Sequence, residues 1–453
     1  MESVVSDDGL MLAPFTLFPS PFSSSHFHHA KHIQTHINTL MHNIAWDQQF
    51  LSSSLEKVIK VDDFTEKLYD IYLKVMKEGL SQSTGLGIFR SDYMMHDVDS
   101  HGQVFEMKQV EMNAIAISFG SLSPIVAKIH RQMLARYGDE SVIQDLDSHL
   151  PPCLTPNSQA IGMITAWKKY GVSNAIILFV VERRSINISD QRWVEFALGD
   201  LRPDIKVLRR SFNDLNGKLS LKGNKQLFLD DKYEVAVIYY RTGYAPDDYS
   251  NGESDWGLRL LMEQSKAIKC PTIQYHLSGV KKIQQIISKR DVLERFLASE
   301  KEVDEVMQTF TGLWGLELGE EGDKAVQIAL GQPERFVLKP QREGGGNNYY
   351  GQEIVDKLNE IGHTKEREAY ILMELIRQPK IANYLMMPDR SSPLEPVNIV
   401  CELGIFGVIM GDGNKIDDNY EAGHVLRSKI SGVGEGGVAA GFGALDSPYL
   451  VSN

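Results

Sequence analysis

The chain has 453 residues, of which 42% are hydrophobic and 24% charged, and this is the composition of a globular enzyme with room for two or three domains. The formal net charge of −13 argues against nucleic acid as a main partner, because any anionic ligand must meet local clusters of lysine and arginine. Cys153, Cys270 and Cys401 lie far apart without metal-ligand spacing, and no apolar run approaches the ~18 residues of a membrane span. Together with an N-terminal segment that lacks a basic signal region, these features predict a cytoplasmic protein.

The first helical pattern carries a row of histidines, His29, His32 and His36, at the spacing of one helix face. Such a row could bind a metal ion, but no carboxylate or cysteine joins it in the sequence, and we interpret it as a solvated face. A strongly amphipathic helix is then predicted between Asp63 and Gly79, and its apolar stripe indicates scaffold.

Residues 104–115 are predicted to form a strand with polar and apolar residues on alternate faces. With a period of two, Glu111 and Asn113 share one face and Val110 lies on the other. A carboxylate and an amide oxygen two residues apart suit Mg²⁺, which prefers oxygen ligands. A solvent-exposed polar face is the alternative, but Glu343 supplies a further carboxylate elsewhere and favours the metal site.

The middle of the chain alternates strand and helix patterns. The continuous apolar run Ala175–Val181 is typical of a strand buried on both faces of a parallel sheet. Further strand-like runs at Ile205–Leu208 and Val235–Tyr240 predict a small doubly wound α/β domain over residues 173–280.

Two arginines stand at the ends of strand-like runs. Arg90 follows one such run, and Arg241, with Tyr244 close behind, follows another. Ligands bind beyond the carboxyl ends of parallel strands, and a guanidinium group can hold a carboxylate bidentately. Both arginines are therefore candidates for substrate binding, with a structural ion pair for Arg90 and a solvated cation for Arg241 as the alternatives.

The segment Phe336–Gly351 combines Lys339, Glu343 and the three consecutive glycines 344–346. Glycines reach positive φ and approach a ligand closely, while successive backbone N–H groups form an anion-binding concavity. A polyphosphate neutralised by the lysine, with a metal at the carboxylate, fits this pattern; a glycine-rich surface turn is the alternative. Lys281 opens a helix, where a lysine opposes the helix dipole unless an anion is present, although a surface helix would also explain it.

The C-terminal region adds a second polar cluster. The strand Ile399–Met410 carries Glu402 in an apolar context, and such a carboxylate requires a partner or a metal. Arg427 and Lys429 share a strand face at a period of two. The segment Gly432–Gly443 contains six glycines and is interpreted as a mobile lid, with a disordered tail as the alternative.

Several motifs resemble one family in the same order along about the whole chain. They are LFPSPF (17–22), RSDYM (90–94), the segment 109–120, DQR (190–192), GEEGD (319–323), FVLKPQREGGGNN (336–348), ELGIFGV (402–408) and GGVAAG (436–441). By these motifs the chain resembles eukaryotic glutathione synthetases, which are ATP-grasp ligases. The resemblance implies an α/β (α+β) fold in which residues 1–172 and 281–453 form an ATP-grasp body around an inserted substrate-binding domain, with a lid from about 336–400 and the loop 432–443.

The resemblance also implies ligation of γ-glutamylcysteine to glycine with ATP and Mg²⁺ through an acyl phosphate, in a cytoplasmic homodimer. The implied metal ligands are Glu111, Asn113 and Glu343. The implied catalytic residues are Arg90, Lys339, Gly344, Gly345 and Arg427. The implied ATP contacts are Glu111, Lys281, Lys339, Glu343, Gly344, Gly345, Gly346, Asn347, Asn348, Tyr350, Met373, Glu374, Leu375, Ile376, Glu402, Lys429 and Glu435. The implied substrate contacts are Arg90, Ala116, Ser118, Ser185, Asn187, Gln191, Arg241, Tyr244, Arg427, Val438 and Ala439.

Three positions depart from the family pattern. Ala116 stands where serine is frequent, Ser185 replaces a longer polar residue, and Leu375 takes the place of a lysine in the adenine-side strand. None is a predicted metal ligand or phosphate lysine, so activity is expected. The alternatives are homoglutathione synthesis with β-alanine, a ligase with a polyamine acceptor, and a non-catalytic ATP- or glutathione-binding regulator. The small VAAG sequence favours glycine, and the presence of all three metal ligands favours catalysis.

Overall fold

The computed structural model describes residues 12–99, 102, 104–343, 345–388, 394–434, 438 and 443–452. The strands are β1 (Phe15–Thr16), β2 (Ser20–Ser23), β3 (Gly85–Asp97), β4 (Phe105–Asn113), β5 (Ile176–Val180), β6 (Val207–Arg210), β7 (Leu219–Lys222), β8 (Gln226–Leu229), β9 (Tyr233–Tyr240), β10 (Ile268–Cys270), β11 (Leu313–Gly315), β12 (Phe336–Pro340), β13 (Tyr349–Tyr350), β14 (Tyr370–Glu374), β15 (Ile381–Asn383), β16 (Leu385–Met386), β17 (Val397–Asp412), β18 (Lys415–Ile430), β19 (Ala444–Asp446) and β20 (Pro448–Val451).

The helices are α1 (Ser24–Trp46), α2 (Gln48–Leu55), α3 (Asp63–Glu78), α4 (Ser123–Tyr137), α5 (Glu140–Gln144), α6 (Leu146–His149), α7 (Thr155–Tyr170), α8 (Ile188–Leu201), α9 (Phe212–Leu215), α10 (Glu253–Glu263), α11 (Ile273–Ser278), α12 (Lys281–Ile287), α13 (Arg290–Phe296), α14 (Glu300–Met307), α15 (Glu320–Gly331) and α16 (Gln352–Ile361). Short 3₁₀ turns occur at Val58–Lys60, Pro246–Asp248, Pro333–Arg335 and Lys365–Ala369. In the described part of the chain, no helix combines the length and the apolar character needed to cross a membrane.

The largest sheet has the order β16-β1-β19-β18-β17-β3-β4, with β15 paired to β17. The long strands β17 and β18 form an antiparallel hairpin, and β3 and β4 continue the sheet antiparallel to it. Helix α1 packs on this sheet through an apolar stripe that includes Ile33, Ile37, Leu40 and Ile44, each of them fully buried. This stripe follows the helical repeat, and it leaves the opposite face of α1 for polar side chains.

A second sheet has the order β6-β5-β9-β8-β7, with β10 also paired to β9. Its strands β6, β5, β9 and β10 run parallel, and β8 and β7 add an antiparallel hairpin. Because β5 and most of β9 are buried on both faces, their sequences are almost continuously apolar. The predicted strands of the 173–280 segment are confirmed, with shifts of up to two residues at their starts and ends.

The third sheet, β11-β14-β12-β13, is antiparallel and separates a core from a cavity. On one face Phe336, Leu338 and Leu372 pack against α15 and α16. On the other face Val337 and Met373 look into the cavity described below. The alternation of strand side chains thus places the neighbouring Lys339 on the cavity side as well. With its mixed sheets and covering helices, the protein has the predicted α/β fold class.

One predicted face is wrong because β4 contains a bulge. The pairing of β3 with β4 shifts by one residue, since Asp92 pairs with Glu111 and Tyr93 pairs with Gln109. A bulge interrupts strict alternation, so Val110, predicted for the opposite face, lines the same cavity as Glu111.

Candidate active site

A cavity of about 260 Å³ lies among residues of β3, β4, β12, β14, β17 and β18. Most of the predicted site residues line it: Arg90, Glu111, Asn113, Ala116, Ser118, Tyr244, Lys281, Lys339, Glu343, Gly345, Asn347, Asn348, Tyr350, Met373, Glu374, Leu375, Ile376, Glu402, Arg427, Lys429 and Val438. The predicted residues Gly344, Glu435 and Ala439 lie outside the described residues. The sequence therefore predicted the lining of one cavity from segments far apart along the chain.

Lys281 joins two of the three predicted metal ligands. Its Nζ donates to Glu111 Oε2 at 3.0 Å and to Glu343 Oε1 and Oε2 at 3.1 and 3.2 Å. Lys281 is the first residue of α12, Glu111 lies on β4, and Glu343 follows β12. Three distant segments thus bring a cation and two carboxylates together, and we call Glu111, Lys281 and Glu343 the ionic triad.

Burial and charge set the protonation of the ionic triad. Burial acts to raise the pKa of Glu111, but the Lys281 and Lys339 ammonium groups outweigh it and hold this pKa well below its usual range. Burial, together with the Glu111 charge, raises the pKa of Glu343. Burial opposes the charge on Lys281, yet the two carboxylates raise its pKa. Of the two carboxylates, Glu111 is therefore the one that ionises more readily.

The donor set of this region fits a divalent cation that prefers oxygen. Glu111 and Glu343 are close enough to share one ammonium group, and a divalent metal ion could take that position. Asn113 lines the same cavity, and its Nδ2 donates to Asp92 Oδ2 at 3.0 Å. Two carboxylates and an amide with its nitrogen already paired are the ligand types of a magnesium site.

Asp92, for which the sequence analysis gave no role, holds the arginines of the cavity. The Arg90 side chain donates to both of its oxygens at 2.7 and 2.8 Å, and the Arg427 side chain donates to Oδ2 at 2.9 Å. Asp92 is fully buried. Arg427 also donates to Glu402, which confirms that the partly buried Glu402 carboxylate has a charged partner. A signal existed in the sequence, because Arg90 and Asp92 lie two residues apart on one strand face.

The loop between β4 and α4 carries unusual backbone angles. Ala116 and Phe119 have φ of 51° and 71°, which is costly for residues other than glycine. Asp190 on α8 accepts hydrogen bonds from the N–H groups of Phe119 and Ser121 at 2.9 and 2.8 Å. Such angles persist where surrounding contacts hold them, and they concentrate at functional sites.

Arg241 holds the same loop, and its guanidinium lies 3.9 Å from the Asp190 carboxylate. Its guanidinium donates to the Ile117 carbonyl and to Ser118 Oγ, the latter at 3.0 Å. The side chain is buried and does not line the cavity. We call residues 116–122, together with Asp190 and Arg241, the anchored loop. Asp190 was missed as an individual residue, although the motif DQR that contains it was recognised.

Three predicted substrate contacts form a separate cluster beside the anchored loop. Ser185 Oγ accepts from Asn187 N–H and from Gln191 Nε2, both at 3.2 Å, and Gln191 Oε1 accepts from Arg209 at 2.6 Å. None of Ser185, Asn187 and Gln191 lines the cavity as the described residues shape it. They follow β5 or begin α8, so they stand at the carboxyl end of the parallel sheet.

The two glycine-rich segments meet over the cavity. Gly345 and Gly346 adopt φ of 73° and 78°, as the sequence predicted for this loop. Gly434 lies so close to Tyr350 that an added Cβ would stand 3.0 Å from its ring. Lys429 Nζ donates to the Gly434 carbonyl at 2.6 Å. Two segments about 90 positions apart therefore close on one another at this end.

Two backbone N–H groups at the end of β14, the segment predicted to lie beside adenine, already donate hydrogen bonds within the protein. The N–H of Glu374 donates to the Gly312 carbonyl at 2.9 Å, and the N–H of Leu375 donates to the Arg335 carbonyl at 2.8 Å. A base that pairs its edge with this segment must therefore use other backbone groups.

Comparisons with known proteins agree with this architecture. Residues 2–450 match the family described as eukaryotic glutathione synthase, ATP binding domain. The chain is 42% identical to a glutathione synthetase of Mus musculus over 98% of its length and 92% of that protein, and 41% identical to one of Homo sapiens over 99% and 92%. It is 39% identical to a chloroplastic glutathione synthetase of Solanum lycopersicum over 97% and 78%.

A solved structure is also similar. The apo form of a glutathione synthetase-like effector from Globodera pallida superposes with a TM-score of 0.76 at 26% identity, over 97% of this chain and 91% of that one.

The mixed α/β fold, the glycine-rich loop and the lysines around two carboxylates define an ATP-dependent ligase of the ATP-grasp class. The chain belongs to the eukaryotic glutathione synthase family.

Proposed function

We propose that the chain joins γ-glutamylcysteine to glycine with ATP, giving glutathione, ADP and phosphate. The ATP γ-phosphoryl group passes to the C-terminal carboxylate of the dipeptide and releases ADP. The glycine amine then attacks the carbonyl carbon of this acyl phosphate; phosphate leaves and the nitrogen loses a proton. The observation that carries the proposal is the ionic triad. It places a lysine and two carboxylates in a cavity that a glycine-rich loop also lines, and phosphate or a metal ion can replace one partner in these ion pairs.

Lys281 and Lys339 are proposed to neutralise the triphosphate. Both are buried, and the Nζ of Lys339 donates to the Val110 carbonyl at 2.9 Å, which aims the ammonium along the cavity wall. Backbone N–H groups around Gly345 and Gly346 would surround the transferred group, since preorganised donors stabilise developing charge.

Glu111, Asn113 and Glu343 are proposed to hold Mg²⁺. When bound, the ion would neutralise phosphate oxygens and orient the γ-phosphoryl group. Lys281 Nζ lies between the two carboxylates, so metal binding there would require that its ammonium turn toward the phosphates. Lys281 would thus exchange a carboxylate partner for a phosphate partner.

Arg90 and Arg427 are proposed to orient the dipeptide carboxylate that becomes phosphorylated. Asp92 holds both guanidinium groups from one side, and positioning of this kind contributes to rate by fixing the geometry of attack. Ser118, Tyr244 and the Ser185–Gln191 cluster are proposed to bind the γ-glutamyl part. The Ala116 departure removes one hydroxyl from this end of the cavity.

The segments 336–400 and 432–443 are proposed as the lid, and 173–280 as the inserted substrate domain. The contact of Gly434 with Tyr350 supports a lid in which both loops move together.

Glycine is the proposed acceptor rather than β-alanine, because VAAG is small. A cytoplasmic location is proposed from the three free cysteines, and a homodimer from the family resemblance.

The test is ADP release by the purified protein with Mg²⁺-ATP and γ-glutamylcysteine, with glycine, β-alanine or no acceptor. We expect release that needs the dipeptide and glycine together. Preference for β-alanine would move the function to homoglutathione synthesis. Absence of release with every acceptor, despite measurable ATP binding, would overturn the proposal in favour of a non-catalytic binder.

A further inference from the structure

The histidine row of α1 meets carboxylates that the sequence pattern did not reveal. Helix α14 packs beside α1, and it brings Glu305 against His32 and His36. The Glu305 Oε2 atom lies 3.3 Å from His32 Nε2 and 3.4 Å from His36 Nε2. One ligand atom of each of the three residues lies within 4.8 Å of the other two. His32 and His36 are four residues apart, so both imidazoles project from one face of the helix.

We propose that His32, His36 and Glu305 bind a divalent transition-metal ion such as Zn²⁺ or Co²⁺. Two imidazole nitrogens and one carboxylate oxygen are a recurrent ligand set for zinc, with water in the fourth position. The site is separate from the cavity, because none of these three residues lines it. The ion would connect α1 to α14.

The distances favour a shared ion over direct hydrogen bonds. Hydrogen bonds between N–H and oxygen fall at about 2.7–3.2 Å, and both nitrogen–oxygen separations here are longer. In a tetrahedron with metal–ligand bonds of about 2.1 Å, neighbouring ligand atoms are about 3.4 Å apart. Among the described residues, the inaccessible Oε2 atom of Glu305 accepts no hydrogen bond. A buried carboxylate oxygen without a donor gains from a cation.

A second carboxylate supports the orientation of His36. Glu302 Oε1 lies 3.7 Å from His36 Nδ1, on the side of the imidazole away from Glu305. Glu302 is fixed by the capping box of α14, since its Oε2 accepts from the N–H groups of Ala298 and Ser299 at 2.8 and 3.2 Å. A carboxylate behind a metal-bound histidine fixes the ring and raises its basicity. At 3.7 Å the two groups are not hydrogen-bonded, and Glu302 becomes the positioning residue of the proposed site when the bound ion turns His36 Nδ1–H toward it.

The test is titration of the chelator-treated full chain with Co²⁺, followed by its visible absorption. Millimolar Mg²⁺ is kept present to occupy the oxygen ligands of the cavity, and ATP is left out because its phosphates would bind Co²⁺. We expect one equivalent of Co²⁺ with the intense bands of a four- or five-coordinate ion, displaced by Zn²⁺. H36Q and E305Q should lose these bands, and E302Q should weaken Co²⁺ binding by roughly tenfold.

H28Q is the matched control, because His28 is exposed on the same helix outside the cluster. It should bind Co²⁺ as the unmodified chain does, and every variant should keep ADP release with Mg²⁺ and the same unfolding midpoint in chelator. Zn²⁺ should raise the midpoint of the unmodified chain and of H28Q only. Bands of equal strength in H36Q, or only the weak spectrum of hydrated Co²⁺ in the unmodified chain, would overturn the proposal.

Discussion

The ionic triad and residues 116–119 of the anchored loop line the same cavity, and the two groups are held together in different ways. In the ionic triad, side chains pair with side chains: Lys281 donates to Glu111 and Glu343 at 3.0–3.2 Å. In the anchored loop, the side chains of Asp190 and Arg241 hold backbone N–H and carbonyl groups. A ligand can replace an ion-pair partner, whereas backbone anchors must stay in place to keep Ala116 at positive φ.

The difference separates catalysis from stability. Substitution of one carboxylate of the ionic triad should change turnover and leave unfolding almost unchanged, because Lys281 keeps the other carboxylate as its partner. Substitutions that remove a backbone anchor should lower both stability and dipeptide affinity. Asp92 lies between the two regions and should show both effects.

Glu343→Gln is expected to have the largest effect on activity. The change removes a metal-ligand charge with little change in volume, so kcat/KM should fall by at least about a thousandfold, or roughly 4 kcal/mol. Lys281 keeps Glu111 as its partner, and the unfolding midpoint should remain near that of the unmodified chain. Glu334→Gln, at an exposed position, is the control. Near-normal turnover at saturating Mg²⁺ would remove Glu343 from the metal site.

Asp92→Asn should lower stability most. The variant removes the buried carboxylate that Arg90 and Arg427 share and leaves Arg427 with Glu402 alone, so the free energy of unfolding should fall by about 3–5 kcal/mol. Urea unfolding measures this loss, while Asp70→Asn on the exposed face of α3 should stay within about 0.5 kcal/mol. A stability loss no larger than that of Asp70→Asn would show that the two arginines do not depend on Asp92.

Asp190→Asn should loosen the anchored loop alone. The neutral amide accepts from Phe119 and Ser121 more weakly than a carboxylate, so we expect a stability loss of about 2 kcal/mol. The KM for γ-glutamylcysteine should rise roughly tenfold while the Kd for ATP stays constant, since 1.4 kcal/mol of lost binding is tenfold. An equal change for both substrates would contradict the division between the two regions.

The sequence predicted the three members of the ionic triad as site residues, though not their pairing, and it missed Asp190 of the anchored loop. Each of the three residues is recognisable from its local sequence. Glu111 is a carboxylate on a predicted strand, Lys281 is a lysine at a predicted helix start, and Glu343 precedes three glycines. The family resemblance was enough to predict that the three residues lie in one site. Asp190 acts on a loop about 70 residues earlier, and no local pattern shows which backbone groups a helix aspartate will reach.

The fold shows the same limit. Apolar runs predicted the parallel strands β5, β6 and β9 to within two residues, because burial of a strand on both faces leaves a continuous apolar sequence, whereas the short parallel strand β10 was missed. The bulge at Val110 has no such sequence signal, since polar and apolar residues still alternate there while the pairing with β3 shifts. The meeting of His36 with Glu305 was equally invisible, because packing of α1 on α14 joins residues about 270 positions apart.

A last prediction asks whether acid sensitivity belongs to either region. Burial lowers the pKa of His424 to about 3; this residue lies on β18 against Phe27 and lines no part of the cavity. Below pH 6.5 His424 binds a proton in the unfolded chain but stays neutral in the folded chain. The free energy of unfolding therefore falls as pH decreases from 6.5 toward 3. His424→Gln removes the titrating imidazole and with it this contribution to the pH dependence. Between pH 7.5 and 5 the unmodified chain should therefore lose roughly 2 kcal/mol more than the variant. Urea unfolding at the two pH values measures the difference. Equal losses would place the acid response elsewhere, with the buried His130 and His276, whose pKa values burial also lowers, as the next residues to replace.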